Sequence, residues 1–355
     1  MMRYFQLNMQ FGDLTLNQSN CFVIGEIGLN HNGSVELAEK MVYESLVAGA
    51  TFVKFQKRTP SVLARPEYLD KPFIKAPSMG RTQRQVRERH ELSKEEYKHI
   101  FNYAESLGLI PFATAFDTAS LDFLVEDIGC RYIKIASHSA TNEVLVRRAL
   151  ETKLPLVISM GATKASERAA LKEIIDNQHG QVVVMHCVSE YPTLAKNMKL
   201  DTISALQEEF GKECVGFSSH ENGYSGTLAA VALGAVLVER HITISRAMVG
   251  LDHGISMEAR EFADMVIQIK EIKKMGGVKS DVSSDEINVR KAYHSGMYAR
   301  KSIEQGEELH IDMFDVVQPL SDEDACTSME FKAIGSSKLK VSIKSGELLK
   351  IWMLE

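Results

Sequence analysis

The chain has 355 residues, 45% of them hydrophobic and 25% charged, with a formal net charge of −6; this composition excludes a disordered or fibrous chain, and the acidic balance gives nucleic acid no overall attraction. Five scattered cysteines (Cys21, Cys130, Cys187, Cys214 and Cys326) form no CxxC pair, which fits a reducing compartment and makes a cytoplasmic protein the expectation. The opening MMRYFQLNMQFGDLTL has polar residues where a secretion signal needs an apolar core, and no run reaches the ~20 apolar residues of a membrane span, so no membrane partner is expected.

Short apolar, β-branched runs recur along the chain: residues 21–27, 51–57, 110–115, 132–137, 155–160, 182–187, 214–219 and 235–241. Between them lie segments such as VELAEKMVYESLVAG, KEEYKHIFNYAESLG and NEVLVRRALETK, with apolar residues at three- and four-residue spacing. Ser93 followed by Glu96 reads as a capping box for the second of these helices. Eight strands alternating with amphipathic helices predict a parallel sheet closed into a (β/α)8 TIM barrel. The competing open sheet lacks its fingerprint, because GEIGLNHNG after the first strand is not GxGxxG.

After the helix EFADMVIQIKEIKKMGG the polar stretch VKSDVSSDEI reads as a linker. From about residue 290 short β-type runs follow, GMYARKSI, FDVVQP, KLKVSI and LLKIWML, separated by turns such as EQGEE and KSGE. The expected division is therefore a barrel over residues 1–275, a linker over 276–289 and a small β-rich domain over 290–355.

A barrel places its chemistry at the carboxyl ends of the strands. Glu26, Lys54, Gln56, Thr114, Lys134, Ser137, Ser159, Ser189, Ser218, His220 and His241 all end a predicted strand or follow within a few residues. Lys54 and Lys134 lie in apolar strands, where a buried ammonium needs a compensating anion. An ion pair with Glu26 is one such anion; a small dianionic or trianionic substrate, held also by Ser137, Ser159 and Ser218, is the other. His220 and His241 end neighbouring strands, and two imidazoles with a carboxylate or waters suit a divalent metal, with plain hydrogen-bonded histidines as the alternative. Arg81, Arg84, Arg87 and Arg89, in the long stretch after the second strand, read either as a loop closing over ligand or as a solvated helical face.

The ordered motifs GEIGLNHNG, VKFQK, KIAS, ISMGA, HCVSEYPT, GFSSH and ERHIT followed by GLDH resemble the sialic acid synthase (NeuB) family, including its spore-coat SpsE-like branch. The resemblance implies a TIM barrel joined to an antifreeze-like SAF domain, here matched by RKSIEQGEELHIDMFDVVQP. It implies condensation of phosphoenolpyruvate with the open-chain aldehyde of a mannosamine-type sugar, releasing phosphate and making a nine-carbon 2-keto acid. Lys54, Thr114, Lys134, Ser137, Ser159, Ser189 and Ser218 would hold phosphoenolpyruvate, with Glu26 catalytic alongside the two lysines. His220 and His241 would bind Mn2+ or Mg2+. Gln56, Phe116, Ser139, Tyr191 and Asp252 would face the sugar, with Gln318 reaching it from the SAF domain of the partner in a homodimer whose small domains cap each other's sites.

Departures from the family pattern fall on the acceptor side. Ser139 stands where an acidic residue follows the KIxS serine, Ser219 replaces the Asp of GLSDH, Ser189 occupies a variable position, and Gln318 in VVQP replaces the arginine of a KRP motif. N-acetylmannosamine is the default acceptor, with a bacillosamine-derived or unacetylated aldose as alternatives. A phosphorylated acceptor is disfavoured, because the related octulosonate and heptulosonate phosphate synthases lack the SAF domain. A catalytically silent sugar-binding homologue is the rival from another class, against which the retained lysines and histidines argue.

Overall fold

The computed structural model describes residues 8–74, 77–178, 180–335 and 337–355; of the amino-terminal stretch read for a secretion signal, residues 1–7 lie outside the described residues. Two compact units divide the chain, the first ending at Gly276 and the second spanning Gly277–Glu355.

The first unit opens with a hairpin of β1 (Met9–Phe11) and β2 (Leu14–Leu16). Its turn needs glycine: Gly12 has φ +60°, and a Cβ there would stand 2.2 Å from the Tyr132 hydroxyl. Eight parallel strands follow: β3 (Phe22–Gly28), β4 (Phe52–Lys57), β5 (Ile110–Ala115), β6 (Ile133–Ile135), β7 (Leu156–Ser159), β8 (Val182–Cys187), β9 (Val215–Ser219) and β10 (Leu237–Thr243). β10 pairs with β9 on one side, Glu239 opposite Ser218, and with β3 on the other, His241 opposite Glu26, so the sheet closes as the sequence predicts. A two-residue strand, β11 (Met257–Glu258), adds to the end of β10.

Alternation along each strand sorts the residues. Val53 and Phe55, Ile133 and Ile135, and Val182 and Val184 face the helices, in the large outer core. Ile24, Phe52, Phe112, Tyr132, Val157, Val183 and Leu237 fill the barrel interior at its amino-terminal end, where Phe11 and Leu16 of the hairpin close it. Tyr132 pins that plug by donating to Phe11 O and accepting from Asp13 N. With this end packed shut, the next inward residue of each strand is the first that ligand can reach.

The outer helices form where the period-3.6 pattern places them. Lys94–Ser106 buries Tyr97, Ile100, Phe101 and Ala104, and the Ser93–Glu96 capping box is present, a cap that contributes about 1 kcal/mol. Tyr97 donates to Gln56 O at 2.8 Å, tying this helix to a site strand. The long stretch after β4 holds a helix at Gln83–Arg89. Arg84 pairs with Asp70 at the surface, Arg81 and Arg89 are exposed, and Arg87 is half-buried. No described helix is long and apolar enough to cross a membrane.

In the second unit, β12 (Gly296–Ala299) and β13 (Phe314–Val317) pair antiparallel around a core of Met297, Ile303, Leu309, Phe314, Leu339, Ile343 and Leu349. Among the described residues the runs KLKVSI and LLKIWML make isolated bridges, such as Ile303 to Ile343 and Leu339 to Leu354, rather than continuous strands, and tight turns stand at Gly306 and Gly346 (φ +81° and +79°). The polar stretch read as a linker enters a helix, Ser284–Tyr293, capped by Ser283 and Glu286.

Candidate active site

One cavity at the carboxyl ends of the strands is lined by Glu26, Lys54, Gln56, Thr114, Phe116, Lys134, Ser137, Ser159, Tyr191, Ser218, His220, His241 and Asp252, all named from sequence. It is also lined by Arg58, His138, Cys187 and Glu239, which the sequence reading did not select. Two expected residues are not in its lining, and a third, Gln318, is expected at a partner's cavity rather than this one. Ser139 is buried with its hydroxyl 3.4 Å from Phe116 O, Ser189 is exposed beside Gly161, and Gln318 belongs to the second unit, where its amide donates to Tyr293 O.

At the floor, Lys54 is 2% exposed and binds Glu26 Oε2 at 2.6 Å, Glu239 Oε1 at 3.5 Å and Thr114 Oγ1 at 2.9 Å. Burial lowers its affinity for a proton, but Glu239 and Glu26 together outweigh that, and the ammonium is held above its ordinary value. The two carboxyls differ. Burial raises Glu26 above the carboxylate range despite Lys54; burial also pushes on Glu239, but Lys54, Lys134 and both histidines hold it below. Glu239 is thus the ionised partner and Glu26 the group fitted to carry a proton. Gln56 Nε2 fixes Glu26 by donating to Oε1 at 2.6 Å.

Lys134, also 2% exposed, has no carboxylate partner among the described residues; it donates to Ser159 Oγ at 2.5 Å and to Ile135 O at 3.0 Å. Burial pulls it down to about 8, against the attraction of Glu239. Beside it Gly161 N donates to Ser137 Oγ at 2.9 Å, and a Cβ on Gly161 would meet that oxygen at 2.8 Å and Ser189 Oγ at 2.5 Å. The glycine of ISMGA is therefore what lets the hydroxyls converge.

The rings of His220 and His241 stand 5.5 Å apart, and Tyr191 packs on His220 at 4.0 Å. His220 Nδ1 bonds Val188 O at 3.2 Å, which assigns the proton to that nitrogen and leaves Nε2 as a lone pair. Burial, then His241, lowers His220 to about 4, so it is neutral near pH 7. His241 Nδ1 is buried without a partner. Two imidazole nitrogens at one cavity fit a divalent cation, although among the described residues no third His, Cys, Asp or Glu completes a preformed cage. Behind them, Arg240 donates to Glu221 O at 2.8 Å and Thr227 Oγ1 at 3.0 Å, and the Glu221 carboxylate takes the backbone N–H of Gly226 and Thr227. This buried network joins the residues next to both histidines.

Asp252 reaches the cavity on the loop after β10, and the NHN of the GEIGLNHNG motif clamps that loop. Asn30 Nδ2 donates to Ile242 O and Ser256 Oγ, both at 2.8 Å, and Ser256 Oγ donates to Asp252 O at 2.6 Å. Asn32 Nδ2 binds Val249 O at 2.9 Å and lies 3.3 Å from His253 Nε2, whose other nitrogen is 2.7 Å from Thr243 Oγ1.

Residues 41–281 match the NeuB family. The chain is 36% identical to the N-acetylneuraminate-9-phosphate synthase of Drosophila melanogaster over 253 residues, 71% of this chain and 68% of that one. It is 29% identical to the N,N'-diacetyllegionaminic acid synthase of Legionella pneumophila over 94% of both chains. The crystal structure of the N-acetylneuraminic acid synthetase of Leptospira borgpetersenii, in complex with citrate, superimposes with a TM-score of 0.69 at 29% identity, covering 80% of this chain and 96% of that one. The chain belongs to the NeuB family.

Proposed function

We propose that this NeuB-family chain condenses phosphoenolpyruvate with an open-chain, mannosamine-type aldose to give a nine-carbon 2-keto acid and phosphate. It is a carbon–carbon bond-forming transferase. The observation that carries the reading is the donor floor: two buried lysines and the hydroxyls of Thr114, Ser137, Ser159 and Ser218 around one cavity, beside the histidine pair. The named products of the relatives differ in sugar and in phosphate, so the family leaves the acceptor open.

Lys54 and Lys134 offset the charge of phosphate and carboxylate, and the serine and threonine hydroxyls orient them. Held in this way, carbon 3 of phosphoenolpyruvate faces the aldehyde carbon, the new bond forms, water adds at carbon 2 and phosphate leaves. Glu26, with its raised pKa, supplies the proton for the aldehyde oxygen and is recharged when water is deprotonated. His220 and His241 would hold Mn2+ or Mg2+, which when bound supplies Lewis-acid polarisation of the aldehyde oxygen. Gln56, Phe116, Tyr191 and Asp252 border the space left for the sugar. The test is phosphoenolpyruvate consumption and phosphate release across a panel of aldoses; a metal-loaded protein that consumes it with none of them is not a synthase.

Lys134 gives this reading a pH signature. Phosphoenolpyruvate needs its cationic form, and that form is lost as pH rises through about 8. KM for phosphoenolpyruvate is expected to rise roughly tenfold per pH unit above that point, while Lys134→Met shows a high, flat KM over the same range. A parent KM unchanged to pH 9.5 would remove Lys134 from the anion site.

We take the β-rich unit as a SAF domain and the chain as a homodimer. Gln318 stands where the family pattern has arginine, so Gln318→Arg restores a cation and a planar donor fork. The substitution is expected to change the ranking of acceptors by about tenfold while the KM for phosphoenolpyruvate stays put. Saturation series in each substrate, with sedimentation for the oligomeric state, measure both.

A further inference from the structure

The floor accounts for the lysines, but one cation of the cavity has no assignment. Arg58 lies four residues beyond Lys54 and past Gln56, on the side bordered by Phe116 and Asp252. Its guanidinium carbon sits 3.7 Å from the centre of the Phe116 ring, and Nη2 donates to Gln56 Oε1 at 2.6 Å. Nη1 is buried and bonds nothing among the described residues.

Arg87, on the helix Gln83–Arg89, repeats the pattern. Its Nη1 donates to Gln83 Oε1 at 2.7 Å, while Nε is buried with no partner among the described residues. Neither guanidinium is in an ion pair among the described residues: Glu91 pairs with Lys57 and Arg84 takes Asp70. Burial above all lowers Arg58, against the pull of Glu91 and Asp252, with Arg87 adding to the loss; the Glu91 carboxylate accepts from the Arg58 backbone N–H at 3.0 Å rather than from its guanidinium. Two guanidinium groups that repel each other, each with a buried unsatisfied N–H among the described residues, are a costly arrangement unless an anion completes it. A hydrogen bond to Gln56 alone would need no charge.

Phosphoenolpyruvate does not supply that anion, since its charges belong to the floor at Lys54 and Lys134. The cation stands beside Gln56 and Phe116, where the acceptor is placed, and it is further out. We propose that Arg58, backed by Arg87, binds a phosphate monoester carried by the acceptor aldose at the end away from its aldehyde. This rests on the synthase reading above and departs from the expectation of an unphosphorylated sugar. Phe116 holds the guanidinium plane by cation–π contact, leaving its free edge for phosphate oxygens.

The experiment follows phosphoenolpyruvate consumption by the full-length, metal-loaded protein with pairs of aldoses, mannose, mannosamine and N-acetylmannosamine, each with and without a 6-phosphate. The phosphorylated member of the preferred pair is expected to have a kcat/KM on the order of 100-fold higher, the scale of charge-assisted bonds to one group. Arg58→Gln should collapse that ratio to within a few-fold of one, Arg58→Lys should restore part of it, and Arg87→Gln should reduce it less. The KM for phosphoenolpyruvate should move far less in all three. Equal use of both members by the parent, or a ratio that survives Arg58→Gln, overturns the proposal and leaves the synthase reading standing. Consumption with no member of any pair overturns this proposal and leaves the synthase reading to the wider panel of aldoses, bacillosamine-derived sugars included.

Discussion

Lys54→Met is expected to lower kcat/KM for phosphoenolpyruvate by at least 100-fold and, in the same protein, to lower stability by about 3 kcal/mol at pH 7. Both effects follow from its position between Glu26 and Glu239, at 2.6 and 3.5 Å. Removing the ammonium leaves two buried carboxyls, 1% and 7% exposed, with no cation in ion-pair distance among the described residues. Lys134 reaches Ser159 rather than either carboxyl. The pH dependence has a definite sign. Without Lys54 both folded carboxyl pKa values rise, Glu26 from above that of the unfolded chain and Glu239 from below it, so relative to the parent the protonated forms are favoured and stability is lost as pH rises. The deficit relative to the parent should therefore be largest at neutral pH and shrink toward pH 4, where both carboxyls can be protonated. Urea denaturation at several pH values reads it. A variant as stable as the parent at pH 7 would mean that the three groups do not form one charge network.

The strands were legible because each reads as a continuous apolar run, and the parallel sheet demands that. The floor lysines were legible for the converse reason: an ammonium in VKF or IKI has nowhere apolar to go. Glu239 carried the same signal and was passed over. In LVERHIT the inward positions are Leu237, Glu239 and His241, and Arg240 between them faces the Glu221 network outside the barrel. Period-two alternation counted back from His241 finds it.

Other parts depended on geometry that no pattern of residue types specifies. Ser139 would share the face of Ser137 in an extended chain, but β6 stops at Ile135 and residues 137–139 form a 3₁₀ turn. Each residue then turns the side chain by about 120°, so Ser137 lines the cavity and Ser139 does not. Among the arginines of the long stretch the sequence marked the periodic set, Arg81 to Arg89. Arg58, the one that lines the cavity, has no periodic partner and is placed by Phe116 and Gln56. The clamp of Asn30 and Asn32 on the Asp252 loop joins segments more than 200 residues apart in sequence.

The double substitution His220→Ala, His241→Ala is expected to abolish stoichiometric Mn2+ binding and to lower phosphoenolpyruvate consumption by at least 1,000-fold, the loss of a Lewis acid amounting to several kcal/mol. The His220 lone pair is kept free by the bond from Nδ1 to Val188 O and by a pKa lowered to about 4, so protons compete for it only in acid. Each single variant should retain weakened binding, because the other nitrogen and water still serve. Titration of Mn2+ followed by electron paramagnetic resonance reads this without reference to turnover. The fold of the double variant is checked by a second consequence of the same pKa. An unfolded His takes up a proton near pH 6.5 and folded His220 does not, so the parent loses stability as pH falls from about 6.5 toward 4. The double variant lacks that contribution and should lose less over the same interval. A folded double variant that still binds one Mn2+ per chain with parental affinity would take the metal away from this pair and return both histidines to a packing role.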